Sequence, residues 1–322
     1  MIIDIIGAGS MGLLLGGKLA LAGNEIRFWC HGAEQCSALN QNGLTIIYED
    51  EREPLEVPAD MLKASIIEDF PGDDSLKSAD FTILTVKQKV LHRELPEVLK
   101  RIGGQHANVV CYQNGSGHME LLAKLLPVAR LFAAVTTEAA KIKSSCEVVH
   151  AGSGQTWIGA WDKTGITDRG PDERKVKELI GNLGAAGFTA HLSNEVETMI
   201  YRKLMINSVI NPLTAIWRVP NGELLQSSIR QESMRELFDE AAAVYRACGI
   251  TIDTSLWEDI IEVCRATSGN ISSMLADVLA VRETEIRWIN GSIVQMGERS
   301  GIEVPTHRLV CKLVEGMIAE ER

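Results

Sequence analysis

The feature that most constrains this chain is a glycine-rich turn that follows a short apolar segment at its start. Residues 1 to 6 read MIIDII, which has the length and composition of a buried strand, and GAGSMG follows at once. Residues 11 to 22 then show helical periodicity that ends at Gly23, and EIRFWC at 25 to 30 has the character of a second strand. Strand, turn, helix and strand in this order predict a βαβ unit, which requires a parallel sheet.

The glycines of this turn have the spacing G-x-G-x-x-G. The six residues are Gly7, Ala8, Gly9, Ser10, Met11 and Gly12. The first glycine permits the tight turn, the second lets backbone approach a pyrophosphate, and the third lets the helix pack on the strand. The helix N-terminus favours the negative charge of a phosphate. The pattern is weak by itself, but between a strand and a helix it predicts dinucleotide binding in preference to a purely structural turn.

The end of the second strand bears on the choice between NAD and NADP. NAD-binding domains usually carry Asp or Glu there to hold the ribose, whereas this chain has Cys30, His31 and Gly32, with no acid until Glu34. We therefore expect NADP(H), with His31 as the contact of the 2′-phosphate and Arg27 as the second choice. A surface histidine without a ligand role is the alternative.

Alternating strand and helix signals continue to about residue 193, including a strand at 81 to 87 and a helix near 89 to 102. Lys87 ends that strand and would lie at the carboxyl edge of the sheet, where such folds bind ligands; an ordinary solvated lysine is the alternative. From Asn194 onward, long helical periodicity replaces strand signals. The prediction is an α/β protein with a Rossmann-type dinucleotide-binding domain at 1–193, followed by an all-helical domain at 194–322.

Three polar residues interrupt the apolar segment KLMINSVINP at intervals of four. Because four residues advance a helix by about 400°, Lys203, Asn207 and Asn211 share one face. A solvated face is the simple explanation, but such faces usually carry better helix formers than asparagine. The stripe therefore predicts a hydrogen-bonding face in a cleft.

A second polar group lies in a long helix that is predicted from Ser272 to about Arg299. Glu285 shares its face with Val278, Val281 and Ile289, which predicts a buried carboxylate that needs a cationic or hydrogen-bonding partner. Ser273 and Asp277 could reach the same cleft. Ser272 or Ser273 could instead cap the helix.

With these residues in view, the chain resembles the ketopantoate reductase (2-dehydropantoate 2-reductase) family over essentially its full length. The matching segments, in order, are GAGSMG at 7, LTVK ending at 87, QNG at 113, HAGSGQTWIG at 150, KLMINSVINPLTAI from 203, PNGELL from 220 and SSMLADVLAVRETEIRWINGSIV from 272. The resemblance implies NADPH as hydride donor and reduction of a 2-oxo acid to (R)-pantoate, on the route to pantothenate and coenzyme A.

The resemblance also implies roles for individual residues. Lys203 and Glu285 match the family's catalytic pair, with Lys203 as the expected general acid. The positions that match substrate contacts are Asn207, Asn211, Asn221 and Ser273, and those on the cofactor side are Gly7 to Gly12, Lys87 and Asn114.

Two positions depart from the family pattern. His31 stands where the family often has an arginine, and Glu138 stands where a small or neutral residue near the nicotinamide is expected. Two alternatives therefore stay open. One is an NAD(P)-dependent reductase of a different 2-oxo acid that uses the same lysine, and the other is a non-catalytic NADP-sensing regulator.

Composition indicates which classes of partner the protein binds and in which cell compartment we expect it. The net charge is −11 with no basic run, which argues against nucleic acid, and no segment has the character of a membrane span or signal sequence. Seven scattered cysteines without a CxxC pair predict free thiols in a reducing cytoplasm, and the histidines lack metal-ligand spacing. We expect the partner to be a small-molecule 2-oxo acid and expect no metal ion. A homodimer is a possible assembly.

Overall fold

The computed structural model describes residues 1–70, 77–93, 95–104, 108–126, 130–161 and 173–318. The chain divides into two compact units. The first comprises Met1–Gln113 and His118–Val196, and the second comprises Asn114–Gly117 and Glu197–Arg322.

The first unit is built on two sheets. Among the described residues its strands are β1 (Ile2–Ile6), β2 (Glu25–Cys30), β3 (Leu44–Tyr48), β4 (Leu55–Val57), β5 (Leu62–Ile66), β6 (Phe81–Leu84), β7 (Asn108–Cys111), β8 (Leu131–Thr136), β9 (Ala139–Ser144), β10 (Glu147–Gly152), β11 (Gln155–Ala160) and β12 (Thr189–Leu192). The larger sheet has the order β12-β11-β8-β7-β6-β1-β2-β5, and the smaller has the order β4-β3-β10-β9. Strand β1 runs parallel to β2 and β6, and among the described strand pairs of the larger sheet only that of β11 with β8 is antiparallel.

The described helices of the first unit are α1 (Ser10–Leu21), α2 (Ala33–Asn42), α3 (Gln88–Arg93), α4 (Pro96–Gly104), α5 (His118–Leu125) and α6 (Glu173–Ala185). Helix α1 contacts β2 in the larger sheet and β3, β9 and β10 in the smaller one, so it is apolar and buried along most of its length. The single helix predicted near 89 to 102 is wrong, because α3 and α4 are separate. Pro96 begins α4, where its missing N–H costs nothing.

The second unit is helical. Its described helices are α7 (Val196–Trp217), α8 (Ser228–Ala247), α9 (Leu256–Ala266), α10 (Ser273–Leu279), α11 (Ile286–Ser300) and α12 (Pro305–Glu315). The predicted combination of a Rossmann-type α/β unit and a helical unit is confirmed. None of the helices in the described ranges is both long and apolar enough to cross a membrane.

The long helix predicted from Ser272 to about Arg299 is wrong, because the chain leaves the helix after Leu279. The N–H of Arg282 donates to the carbonyl of Asp277 at 2.8 Å, and Val281 has a φ of 53°. This left-handed residue and the hydrogen bond across it form a Schellman motif, which ends α10. A β-branched residue is strained there, because its Cβ crowds the following carbonyl oxygen.

The break changes the position of Glu285. It lies at the N-cap of α11, immediately before Ile286, and is partly buried. The helical face that the sequence predicted it to share with Val278 does not exist, since the two residues lie on opposite sides of the break.

Candidate functional site

The glycine turn lies between β1 and α1, as the sequence predicts. Gly7 has a φ of 101°, which an L side chain rarely adopts, and Gly9 is the N-cap of α1. A Cβ at Gly12 would collide with the carbonyl oxygen of Gly7 and the hydroxyl of Thr85, whereas a Cβ at Gly9 would meet no described atom within 4 Å. The turn is therefore tight where the helix packs on the strand and open at the second glycine.

Two side chains outside the turn hold its carbonyl groups. The Thr85 hydroxyl, just after β6, donates to the Gly7 oxygen at 2.6 Å. Gln35 of α2 donates from Nε2 to the Ala8 oxygen at 2.7 Å. The sequence reasoning missed Gln35, and its only signal was its position five residues after β2.

The charged or polar residues predicted on the cofactor side differ in exposure. His31 follows β2 and is exposed, and Lys87 lies exposed between β6 and α3. Arg27 is wrong as a second choice, because its side chain is buried against Asp4. Its Nε and Nη2 donate to the Asp4 carboxylate at 2.7 and 2.8 Å, and its Nη1 donates to the carbonyl of Lys77 at 2.8 Å.

The residues of the first unit fit a dinucleotide. The N-cap of α1 has no side chain, so the first N–H groups of that helix are open to an anion, and the dipole of α1 favours a pyrophosphate there. His31 and Lys87 offer cationic or polar groups at strand ends of the same sheet, and the described residues after β2 include no acid before Glu34.

The polar stripe of the second unit lies on α7. Lys203 and Asn207 are partly buried, and Asn211 is 7% exposed. Their apolar neighbours on the helix, Leu204, Met205, Val209 and Ile210, are buried in the core of the unit. Three polar groups thus share one face of α7, beside apolar residues that pack into the core.

The charge of Glu285 acts on Lys203. Burial lowers the pKa of the Lys203 ammonium to about 8, and the nearby Glu285 carboxylate opposes this effect. Asn114 donates from Nδ2 to Glu285 Oε2 at 3.4 Å, so this residue, expected on the cofactor side, also contacts the carboxylate. A lysine with a pKa near 8 can donate a proton at neutral pH, which makes this group of residues suited to general acid catalysis.

The remaining predicted substrate contacts differ in environment. Asn221 is buried; its Nδ2 donates to the Thr267 hydroxyl at 2.8 Å, and its Oδ1 has no hydrogen-bond partner among the described residues. Ser273 is exposed in the first turn of α10. The cap of that helix is Ser272, whose hydroxyl accepts the N–H of Leu275 at 3.1 Å.

Glu138, the second departure from the family pattern, has a buried partner in its own unit. Its carboxylate lies 2.7 Å from His150 Nε2, with the two side chains 3% and 2% exposed. Burial raises the pKa of Glu138, but bonds from His150 and the Gly154 N–H outweigh it, and the pKa is lowered. Glu138 is therefore held as a carboxylate. Within the described ranges, no group of three or more His, Cys, Asp or Glu is arranged to hold a metal ion.

Comparison with known proteins identifies the family. Residues 3–163 match the family described as ketopantoate reductase PanE/ApbA, and residues 195–318 match ketopantoate reductase PanE/ApbA C terminal. The chain is 34% identical to a 2-dehydropantoate 2-reductase of Archaeoglobus fulgidus, over 98% of this chain and 97% of that protein.

Solved structures of similar fold include two that are 26% identical, each covering 98% of both chains. One is a D-mandelate dehydrogenase with NADH and anilino(oxo)acetate, with a TM-score of 0.84. The other is a PanE/ApbA family ketopantoate reductase from Ralstonia eutropha JMP134, with a TM-score of 0.82. The chain therefore belongs to the ketopantoate reductase PanE/ApbA family of oxidoreductases.

Proposed function

We propose that this chain catalyses the NADPH-dependent reduction of 2-dehydropantoate (ketopantoate) to (R)-pantoate, a step towards pantothenate and coenzyme A. The observation that carries the proposal is Lys203, a partly buried lysine whose pKa is lowered to about 8 beside the carboxylate of Glu285. The name of the Archaeoglobus fulgidus relative supports the same reaction.

Lys203 acts as the general acid of this proposal. When bound, NADPH supplies the hydride that is added to the ketone carbon of the 2-oxo acid. Negative charge develops on the ketone oxygen, and the Lys203 ammonium stabilises that charge and transfers a proton to it, which yields the hydroxyl group. Proton donation of this kind contributes roughly two to four powers of ten in rate. Solvent then reprotonates the amine.

The other polar residues of the second unit bind and orient the substrate. Glu285 accepts a hydrogen bond from the substrate hydroxyl, and its charge keeps Lys203 protonated. Asn207 and Asn211 donate to substrate oxygens, and Ser273 donates to the carboxylate. The buried Oδ1 of Asn221 accepts a hydrogen bond from a further polar hydrogen of the substrate.

The cofactor proposed is NADP(H). The residues proposed to hold it are Gly7, Ala8, Gly9, Ser10, Met11, Gly12, His31, Lys87 and Asn114. The open second glycine and the N-terminus of α1 support pyrophosphate binding, and the lack of an early acid after β2 supports the phosphorylated cofactor. The seven free thiols favour a reducing compartment, so we place the enzyme in the cytoplasm. A homodimer is tested by measuring the molecular mass in solution.

A second candidate function follows from the similarity to D-mandelate dehydrogenase. That structure contains NADH and a 2-oxo acid analogue with an aromatic group. His31, in place of an arginine, removes a guanidinium that would favour the 2′-phosphate. The alternative is therefore an NADH-dependent reductase of an aromatic 2-oxo acid that uses the same lysine.

A substrate panel separates these proposals. Oxidation of NADPH and NADH is followed with 2-dehydropantoate, 2-oxoisovalerate and phenylglyoxylate. We expect kcat/KM for 2-dehydropantoate with NADPH to exceed that for 2-oxoisovalerate by about two orders of magnitude or more, because 2-oxoisovalerate lacks the hydroxyl that donates a hydrogen bond to Glu285. A preference for phenylglyoxylate with NADH supports the second candidate. NADPH binding without oxidation by any 2-oxo acid would instead indicate a non-catalytic regulator.

A further inference from the structure

Pro212 lies in the interior of α7, where its missing N–H leaves one carbonyl of the helix without its usual donor. That carbonyl belongs to Ser208, four residues earlier, which is fully buried. A buried carbonyl without a partner costs about as much free energy as a lost hydrogen bond. Asn290 of α11 supplies the donor, with its Nδ2 lying 2.8 Å from the Ser208 oxygen.

The second amide hydrogen of Asn290 is used by His307. Burial lowers the pKa of His307 to about 4, so its imidazole is neutral at physiological pH. His307 Nε2 lies 2.9 Å from the carbonyl oxygen of Leu237, which can only accept, so Nε2 carries the proton and Nδ1 is an acceptor. Asn290 Nδ2 lies 3.1 Å from that Nδ1. Both amide hydrogens are therefore committed, which fixes the orientation of the side chain.

His307 is itself anchored at the start of α12. The carboxylate of Glu240, on α8, accepts the N–H groups of Thr306 and His307 at 2.8 and 3.1 Å. A carboxylate at this position satisfies the free N–H groups of the first turn and suits the helix dipole. Asn290 thus joins α7 and α11 to a pair of helices that are already tied together.

We propose that Asn290 is a positioning residue for the reaction, which sets α11 against α7 through Ser208 and so holds Glu285 beside Lys203. Ser208 lies five residues after Lys203, and Asn290 lies five residues after Glu285. At 1.5 Å per residue, the link is about 7.5 Å along each helix from the proposed catalytic pair. The inference rests on the roles proposed for Lys203 and Glu285.

A purely structural role is the competing explanation, in which Asn290 does no more than satisfy the carbonyl that Pro212 leaves open. Pro212 itself allows the two roles to be separated. The substitution Pro212→Ala returns the N–H, so that α7 can satisfy Ser208 without Asn290. The experiment compares P212A, N290A and the double variant P212A/N290A.

Three quantities are measured for each full-length variant. They are the midpoint of urea unfolding, kcat with 2-dehydropantoate and NADPH, and the pKa of Lys203. The pKa is read from the pH dependence of Lys203 labelling by an amine reagent, followed by mass spectrometry. Ser292→Ala is the matched control, because Ser292 is buried in α11 but donates to Ile289 within its own helix. It should leave kcat and the Lys203 pKa unchanged.

We expect N290A to unfold at a lower urea concentration than the wild type. The double variant should unfold only slightly earlier than P212A, because α7 then satisfies Ser208 without Asn290. The kcat of the double variant should nevertheless remain about tenfold or more below that of P212A, since small displacements of catalytic groups are costly. The pKa of Lys203 should also be lower than in P212A, because Glu285 is no longer held beside it.

Recovery of kcat and of the Lys203 pKa together with stability would show that Asn290 is only structural. The proposal is also overturned if N290A behaves like the wild type, or if the double variant unfolds as early as N290A or does not fold. If N290A alone does not fold, the comparison of the double variant with P212A decides. A wild-type chain without reductase activity refutes the proposed function instead, and the unfolding midpoints and the labelling of Lys203 still test the link.

Discussion

The most specific prediction concerns the pH dependence of the reaction, because the proposed general acid must be protonated to act. The pKa of Lys203 is lowered from 10.5 to about 8, with burial as the main cause. The group is charged below this pKa and neutral above it, so kcat/KM should be constant near pH 7 and fall at higher pH. The midpoint of the fall should lie about 8, and the loss between pH 7 and pH 9 should be about tenfold.

The change Glu285→Gln tests the cause of that midpoint. The carboxylate raises the pKa of Lys203 against the effect of burial, so removing its charge should move the fall in kcat/KM to lower pH. Initial rates of NADPH oxidation at low 2-dehydropantoate concentration give the profile. Circular dichroism at each pH shows whether the chain remains folded. A wild-type midpoint near 10.5, or a midpoint that rises in the glutamine variant, would refute this reasoning.

Three further changes have defined outcomes. Val281→Gly should raise the free energy of unfolding by about 1 kcal/mol, because glycine removes the strain of the left-handed residue; an unchanged urea midpoint would contradict this. Ser272→Ala should lower it by about 1 kcal/mol, because the N–H of Leu275 loses its cap, and a loss below a few tenths would show that the cap contributes little. His31→Arg should improve the Kd of NADPH relative to that of NADH by about tenfold, and equal effects on both cofactors would exclude a contact with the 2′-phosphate.

The parts of the fold that the sequence predicted well are those set by local periodicity. The segment from β1 to β2 has a glycine turn in which backbone geometry requires Gly7 and close packing requires Gly12, so its structure can be predicted from about thirty residues. Helix α7 was likewise predictable, because the spacing of Lys203, Asn207 and Asn211 and the apolar residues between them have the helical period.

The misassigned features lack a signal in the local sequence. The break after α10 contains neither glycine nor proline, and Val281 adopts a conformation that its side chain disfavours, so no local signal marks it. Arg27 looked available for a phosphate because its pairing with Asp4 arises only when β1 and β2 align in register.

One half of the link from Ser208 to Asn290 has a signal in the sequence, which is Pro212. A proline inside a helical pattern implies a carbonyl four residues earlier that needs another donor. Pro212 therefore marked Ser208 in advance, although the sequence does not identify Asn290 as the donor, because that depends on how α11 packs on α7.

The central claim is that Lys203 protonates the ketone oxygen of a 2-oxo acid. The most direct test is kcat of a Lys203→Met variant at saturating 2-dehydropantoate and NADPH, with the Kd of NADPH and the urea midpoint as controls. Methionine keeps the unbranched, apolar part of the side chain and removes the ammonium group with its proton and charge. We predict that kcat falls by roughly two to four powers of ten while NADPH binding is retained. A variant that binds NADPH and turns over at a rate near that of the wild type would contradict the claim.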